Sequence, residues 1–96
     1  MGLVTVPELE TLRVAIDEVD RKILDLIAER VRLVLAVGDV KRERNMPVYD
    51  PDRERRILDR LASQAPAPLD GTTVRRIFER LIDEARRLEQ GHVNRG

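Results

Sequence analysis

The chain has 96 residues, with 18 Lys and Arg against 18 Asp and Glu, a single His and no Cys. That length holds one small domain, a zero formal net charge argues against a nucleic-acid or anionic-membrane binder, and the missing Cys excludes disulfide scaffolds, thiol nucleophiles and Cys-based metal sites. One His, His92, excludes a His-based metal cluster as well. No apolar run approaches the ~20 residues of a membrane span. The start Met1-Gly2-Leu3-Val4-Thr5-Val6 lacks a signal peptide's basic end and long apolar stretch, and Val6 stands where a myristoylation pattern wants Ser or Thr. The expectation is a soluble, cytoplasmic protein, domain 1–96, with a core over about 7–90 and short tails.

The first predicted element opens at Thr5-Val6-Pro7-Glu8. Thr5 or Val6 caps it, and Pro7 falls in the first turn, where its missing N–H does no harm. It then runs to about Arg44 without another Pro. Apolar residues recur at Leu9, Leu12, Ile16, Val19, Ile23, Leu26, Leu33, Val37 and Val40, a spacing of three then four that makes a heptad seam. At 1.5 Å per residue such a helix is roughly 57 Å long. A compact chain of this size is only about 30–35 Å across. The seam therefore needs cover from another chain, and the expectation is an intertwined homodimer.

The second helix begins sharply, with Asp50 as N-cap and Pro51 at the first helical position. It continues to about Gln64 with Ile57, Leu58 and Leu61 on one face. The loop Ala65-Pro66-Ala67-Pro68-Leu69 follows. The third helix takes Asp70 as N-cap, with Leu69 placed for a hydrophobic staple to Val74. Its apolar face is Val74, Ile77, Phe78, Leu81, Ile82, Ala85 and Leu88, and Gly91 is read as its end. His92, past that end, reads as solvent-exposed. No strand is predicted. The fold class is all-α, three helices with one very long, in an intertwined homodimeric bundle.

Charges inside this pattern carry the functional signal. The heptad series Leu9, Ile16, Ile23 is followed by Arg30 and then Val37. An Arg in a core register is costly unless something anionic pairs with it. It is either an interchain ion pair that sets register or part of an anion site. The neighbouring column reads Arg13, Asp20, Ile27, Val34, Lys41. Arg13 and Arg30 are roughly 25 Å apart along one helix, so a small-molecule site could join them only if Arg13 came from a partner. Lys41 also fits an ordinary basic helix end. Glu89 borders the apolar face of the third helix, and Arg53-Glu54-Arg55-Arg56 reads equally well as a solvated helix start. Arg supplies 16 of the 18 basic residues, and its guanidinium captures carboxylates in a bidentate fork. Tyr49 and Phe78 are the only aromatics, too few for base-stacking platforms.

Taken together, Leu12 and Arg13, then Asp20, Arg30, Gly38 and Lys41, followed by Pro47-Val48-Tyr49-Asp50-Pro51-Asp52-Arg53-Glu54, resemble the all-helical chorismate mutase family. The likeness spans about Leu9 to Gln90, loosest in the third helix, where Phe78 and Glu89 carry it. It implies an intertwined dimer with two equivalent sites and no cofactor or metal. Each site would rearrange chorismate to prephenate without covalent or acid–base chemistry. Such a site needs fixed cations for a dianion, a held compact conformer and a donor for the ether oxygen as the C–O bond breaks.

By the resemblance, Arg30 and the partner chain's Arg13 each clamp a carboxylate. Lys41 reaches the ether oxygen and a nearby carboxylate. Glu54 accepts from the ring hydroxyl, with Arg53 and the backbone at Asp50 completing that end. Glu89, opposite Lys41, stands where relatives carry Gln or Glu, and a carboxyl donates only when protonated. Ala85 replaces a Ser that in some relatives touches a substrate carboxylate. Isochorismate pyruvate lyases and aminodeoxychorismate mutases share the scaffold, and an amino group could also pair with Glu54. A non-enzymatic dimerisation module is the rival of another class. A pathway enzyme is a further partner to consider.

Overall fold

The computed structural model describes the backbone of residues 6–95 and the side chains of residues 8–92. Thr5, a candidate first cap, and the N-terminal residues before it lie outside the described residues. Three helices follow in order, α1 (Val6–Glu43), α2 (Pro51–Ser63) and α3 (Gly71–Arg95), and no strand occurs among the described residues. The all-α class holds. No helix among the described residues is long and apolar enough to cross a membrane. The chain forms two compact units, residues 1–30 and 31–96.

The described part of the first unit is the α1 stretch up to Arg30. Its seam residues Leu9, Leu12, Ile16, Val19, Ile23 and Leu26 are all exposed, Leu26 by 63%. Arg13 pairs within its own helix to Glu10 at 3.0 Å. Arg30 is half-buried.

The second unit holds the end of α1 with α2 and α3. The seam residues Leu33, Val37 and Val40 are exposed here too. α1 stops through a backbone device that the apolar periodicity does not reveal. Asn45 takes a left-handed φ of 55°, its N–H donates to the Arg42 carbonyl at 3.1 Å, and Met46 N–H donates to the Lys41 carbonyl at 2.7 Å. These two bonds form a Schellman stop, and Asn is the non-glycine residue that enters that region at least cost. α2 starts as its sequence dictates, with Asp50 Oδ1 accepting from Arg53 N–H at 3.1 Å and Pro51 in the first turn. Gln64 closes it.

α3 is capped by Asp70, whose Oδ1 accepts from Thr73 N–H at 2.7 Å. That bond holds the Asp70 carboxyl below the ordinary aspartate range. α2 and α3 pack on each other and are bridged by Arg75 to Asp59 at 2.9 Å. Gly71 allows the approach, because a Cβ there would come within 3.0 Å of the Ala62 carbonyl oxygen. Among the described residues the buried apolar ones are Val74, Ile82 and Ala85, all on α3, with Ile57, Leu58, Leu61, Phe78 and Leu81 half-buried. Ile77 and Leu88, expected on the same face, remain exposed. At about 1.5–3 kcal/mol per fully buried aliphatic side chain, so small a core leaves most of the apolar surface without a role in one copy of the chain.

One boundary departs from expectation. α3 does not end at Gly91 but continues to Arg95. A glycine stops a helix by entering the left-handed region, and no described glycine has a positive φ. Within a helix Gly costs about 1 kcal/mol relative to Ala, which one added turn tolerates when its side chains find partners.

Candidate active site

That added turn finds one. His92 is exposed as expected, but it sits on α3 and not beyond it, with its Nε2 3.2 Å from Asp39 Oδ1. Asp39 also receives a hydrogen bond from Arg42, three residues on along α1. The Arg42 bond first, and His92 after it, hold the Asp39 carboxyl below the ordinary aspartate range. A carboxylate–imidazole hydrogen bond thus fastens the end of α1 to the end of α3.

One turn before His92 lies Glu89, half-buried and set directly against Gly38 of α1. A Cβ on Gly38 would stand 2.5 Å from Glu89 Oε2 and 3.3 Å from Arg42 Nη1. The missing side chain is therefore the space that the Glu89 carboxyl occupies, with the Arg42 guanidinium beside it. Gly38 itself is buried. Arg42 Nη1 is buried too and has no hydrogen-bond partner among the described residues. Lys41 and Arg42 are three and four residues past Gly38, hence on the face Gly38 shares. Ala85, one turn before Glu89, is only 2% exposed and carries no hydroxyl.

The α2 end is organised by another pair. Glu54 is half-buried, unlike Arg53, Arg55 and Arg56 around it, and its Oε1 accepts from Arg86 Nη2 of α3. Arg86 also lies over the Tyr49 ring, 5.0 Å from its centroid, and 3.4 Å from Asp83 Oδ1. The Glu54 hydrogen bond is the main reason Arg86 holds its proton more tightly than an ordinary Arg.

Of the residues singled out in the sequence, Glu89 comes against Gly38, with Lys41 and Arg42 on that same face. Asp50 is placed by its cap and its carbonyl accepts from Glu54 N–H at 3.2 Å. Arg53 is exposed. Arg13 and Arg30 belong to the first unit. Among the half-buried basic side chains described, Arg42, Arg75 and Arg86 are ion-paired. Arg30 and Lys41 are half-buried yet have no ion pair among the described residues.

Arg42 and Arg86 have no role in the sequence pattern, and Tyr49 appears there only within the Pro47–Glu54 motif. A signal for Arg42 existed, since it follows Gly38 by four. Nothing in the sequence pairs Arg86 with Glu54.

The chorismate mutase type II family model matches residues 12–90. The chain belongs to the type II chorismate mutase family. It is 35% identical over 89 residues to the chorismate mutase of Methanocaldococcus jannaschii, covering 92% of this chain and 90% of that one. It is 38% identical over 92 residues to the bifunctional chorismate mutase/prephenate dehydratase of Escherichia coli K12, covering 91% of this chain but 24% of that protein. Among solved structures, form II of the Thermus thermophilus chorismate mutase superposes with a TM-score of 0.81 at 36% identity, over 85% of this chain and 93% of that one. The Helicobacter pylori chorismate mutase in complex with prephenate gives a TM-score of 0.81 at 29% identity, over 90% and 93%. The three described helices thus superpose on solved chorismate mutases over most of their length.

Proposed function

We propose that this chain rearranges chorismate to prephenate, in the cytoplasm, as a homodimer in which two copies complete each other's sites. The observation that carries this reading is a cation and a carboxyl around one buried glycine. Lys41 lies on the Gly38 face of α1, half-buried and without an ion pair among the described residues, and Glu89 fills the space over Gly38. A pericyclic reaction asks little else of a protein. The substrate's two carboxylates need fixed cations, its reactive conformer needs walls, and the ether oxygen needs donors while the C–O bond breaks and the new C–C bond forms.

The proposed roles follow the family resemblance. Arg30 grips one carboxylate, and Arg13 of the partner subunit grips the other. Lys41 and Glu89 face the ether oxygen from opposite sides. Glu54 accepts from the ring hydroxyl, with Arg53 and the Asp50 backbone at that end, and Ala85 contributes only its apolar surface. The exposed seam of α1 supports the dimer, since a heptad face of this length is stable in water only when another helix covers it. A single domain over residues 1–96 is part of the same proposal, and so is any regulatory contact with a pathway enzyme.

The test is loss of chorismate absorbance, with chromatographic identification of the product. Wild type should form prephenate, and Arg30→Ala should lose roughly a hundredfold in rate, the scale of a charged hydrogen bond to substrate. Turnover of isochorismate or of 4-amino-4-deoxychorismate in place of chorismate would reassign the chain to those sister activities, and inertness to all three with the dimer intact would leave a dimerisation module. The Glu89 role has its own readout. Glu89→Gln keeps a donor at that place and should retain activity, whereas Glu89→Ala should lose it. Full activity in Glu89→Ala removes Glu89 from the mechanism.

A further inference from the structure

Glu54 alone does not explain which ring substituent the site accepts. A bare carboxylate takes a hydrogen bond from a hydroxyl, and it attracts an ammonium group more strongly still. The carboxylate here is not bare. Its Oε1 is engaged by Arg86 Nη2, and among the described residues Oε2 has no hydrogen-bond partner. Arg86 is held in that position on three sides: by Glu54 from α2, by the Tyr49 ring 5.0 Å away in the loop before α2, and by Asp83 at 3.4 Å one turn back on α3. Asp83 is 62% exposed on its side chain, so water screens its charge. Glu54 and Arg86 are more enclosed, at 27% and 36%, and their charges count for more.

We propose that Arg86 is the specificity-determining residue of the site: by pairing with Glu54 it leaves an acceptor with no net charge, which favours a substrate bearing a ring hydroxyl over one bearing a ring ammonium. The inference rests on Glu54 being the group that meets that substituent. The physics is a balance of two nearby charges. A hydroxyl donates to Oε2 and, being neutral, feels no repulsion from the guanidinium. An ammonium at the same oxygen gains attraction from Glu54 and loses it to Arg86, a unit charge of like sign fixed a few ångströms away. Selection of this kind works by rejecting the wrong ligand more than by gripping the right one. The arrangement separates a hydroxylated cyclohexadiene from its amino counterpart, which the carboxylate alone would favour the other way.

The experiment compares kcat/KM for chorismate and for 4-amino-4-deoxychorismate across wild type, Arg86→Gln, Arg86→Lys and Glu54→Gln. Wild type should favour chorismate. Arg86→Gln should raise the amino-to-hydroxyl ratio on the order of tenfold, the effect of unmasking one partly screened charge. Arg86→Lys keeps the charge and should keep the wild-type ratio. A parallel fall for both substrates in Arg86→Gln, with the ratio unchanged, would make Arg86 a structural brace and overturn the inference. Arg86→Lys behaving like Arg86→Gln would overturn it too, since charge would not be the cause. If Glu54→Gln leaves chorismate turnover untouched, Glu54 does not meet the ring substituent, and the inference falls while the mutase reading stands. Wild type that consumes no chorismate at all would remove the mutase reading, and the inference with it.

Discussion

Gly38 shows how one missing side chain sets a site. Its place in α1 is buried, and the Glu89 carboxyl occupies the volume a Cβ would take. Gly38→Ala separates two consequences that usually travel together. Ala is the better helix former by about 1 kcal/mol, and the atom it would strike is the far end of a flexible side chain, so the fold should lose no stability. The carboxyl, however, must leave its position over the Lys41 face. The expected outcome is an unchanged or raised thermal midpoint with kcat/KM reduced at least about tenfold, since misplacing a catalytic group by an ångström can cost a hundredfold. Full activity in Gly38→Ala would show that Glu89 works from another rotamer. At the same scale, Arg42 is a half-buried cation that the sequence offered only as a neighbour of Lys41. It belongs to the charged surroundings of Glu89, together with Asp39 and His92 on one side and Arg86 a turn away on the other.

Each helix boundary in the second unit is written in short-range chemistry. Asp50 with Pro51, and Asp70 with the Thr73 amide, are N-terminal signals that read directly from the sequence. The C-terminal signals are less even. Asn45 ends α1 by accepting a left-handed φ, whereas Gly91, the better residue for that purpose, remains inside α3. The difference lies in what the next turn gains, because the turn after Gly91 carries His92 to Asp39. A Cβ at Gly91 would meet nothing within 4 Å. Gly91→Ala should therefore stabilise the protein by about 1 kcal/mol through helix propensity alone, measured by denaturant titration with an unchanged slope. A loss of stability would mean that position 91 is covered in the assembled protein.

Over the whole molecule the dominant fact is unburied apolar surface. Leu12, Ile16, Val19, Ile23, Leu26, Leu33 and Val37 are each more than 45% exposed, while among the described residues only three apolar side chains are buried. Ordering the backbone costs about 1–2 kcal/mol per residue, and so small a core does not offset it. If a second copy covers the seam, folding and association are one event. The thermal midpoint should then rise with protein concentration, and light scattering should give twice the chain mass of 11.1 kDa. Ile23→Glu should abolish both the dimer and the activity. An active species of one chain mass would rule out a site completed by Arg13 of the partner subunit.

The sequence by itself determined the helices, most of their ends and the family. Caps, turns and apolar periods depend on residues three or four apart, and the polar residues from Arg13 to Glu54 stand in a spacing that a family match recognises. The exposed seam was legible for the same reason, as a period with no partner inside the chain. Tertiary structure alone decided which charges meet. Arg86 reaching Glu54, Glu89 lying over Gly38, and His92 holding Asp39 all join residues more than thirty positions apart. Such pairs depend on how closely two helices approach and how each is rotated about its axis. Those quantities are set by packing, where Gly38, Gly71 and Ala85 take part by having little or no side chain, and no local pattern of residues encodes them.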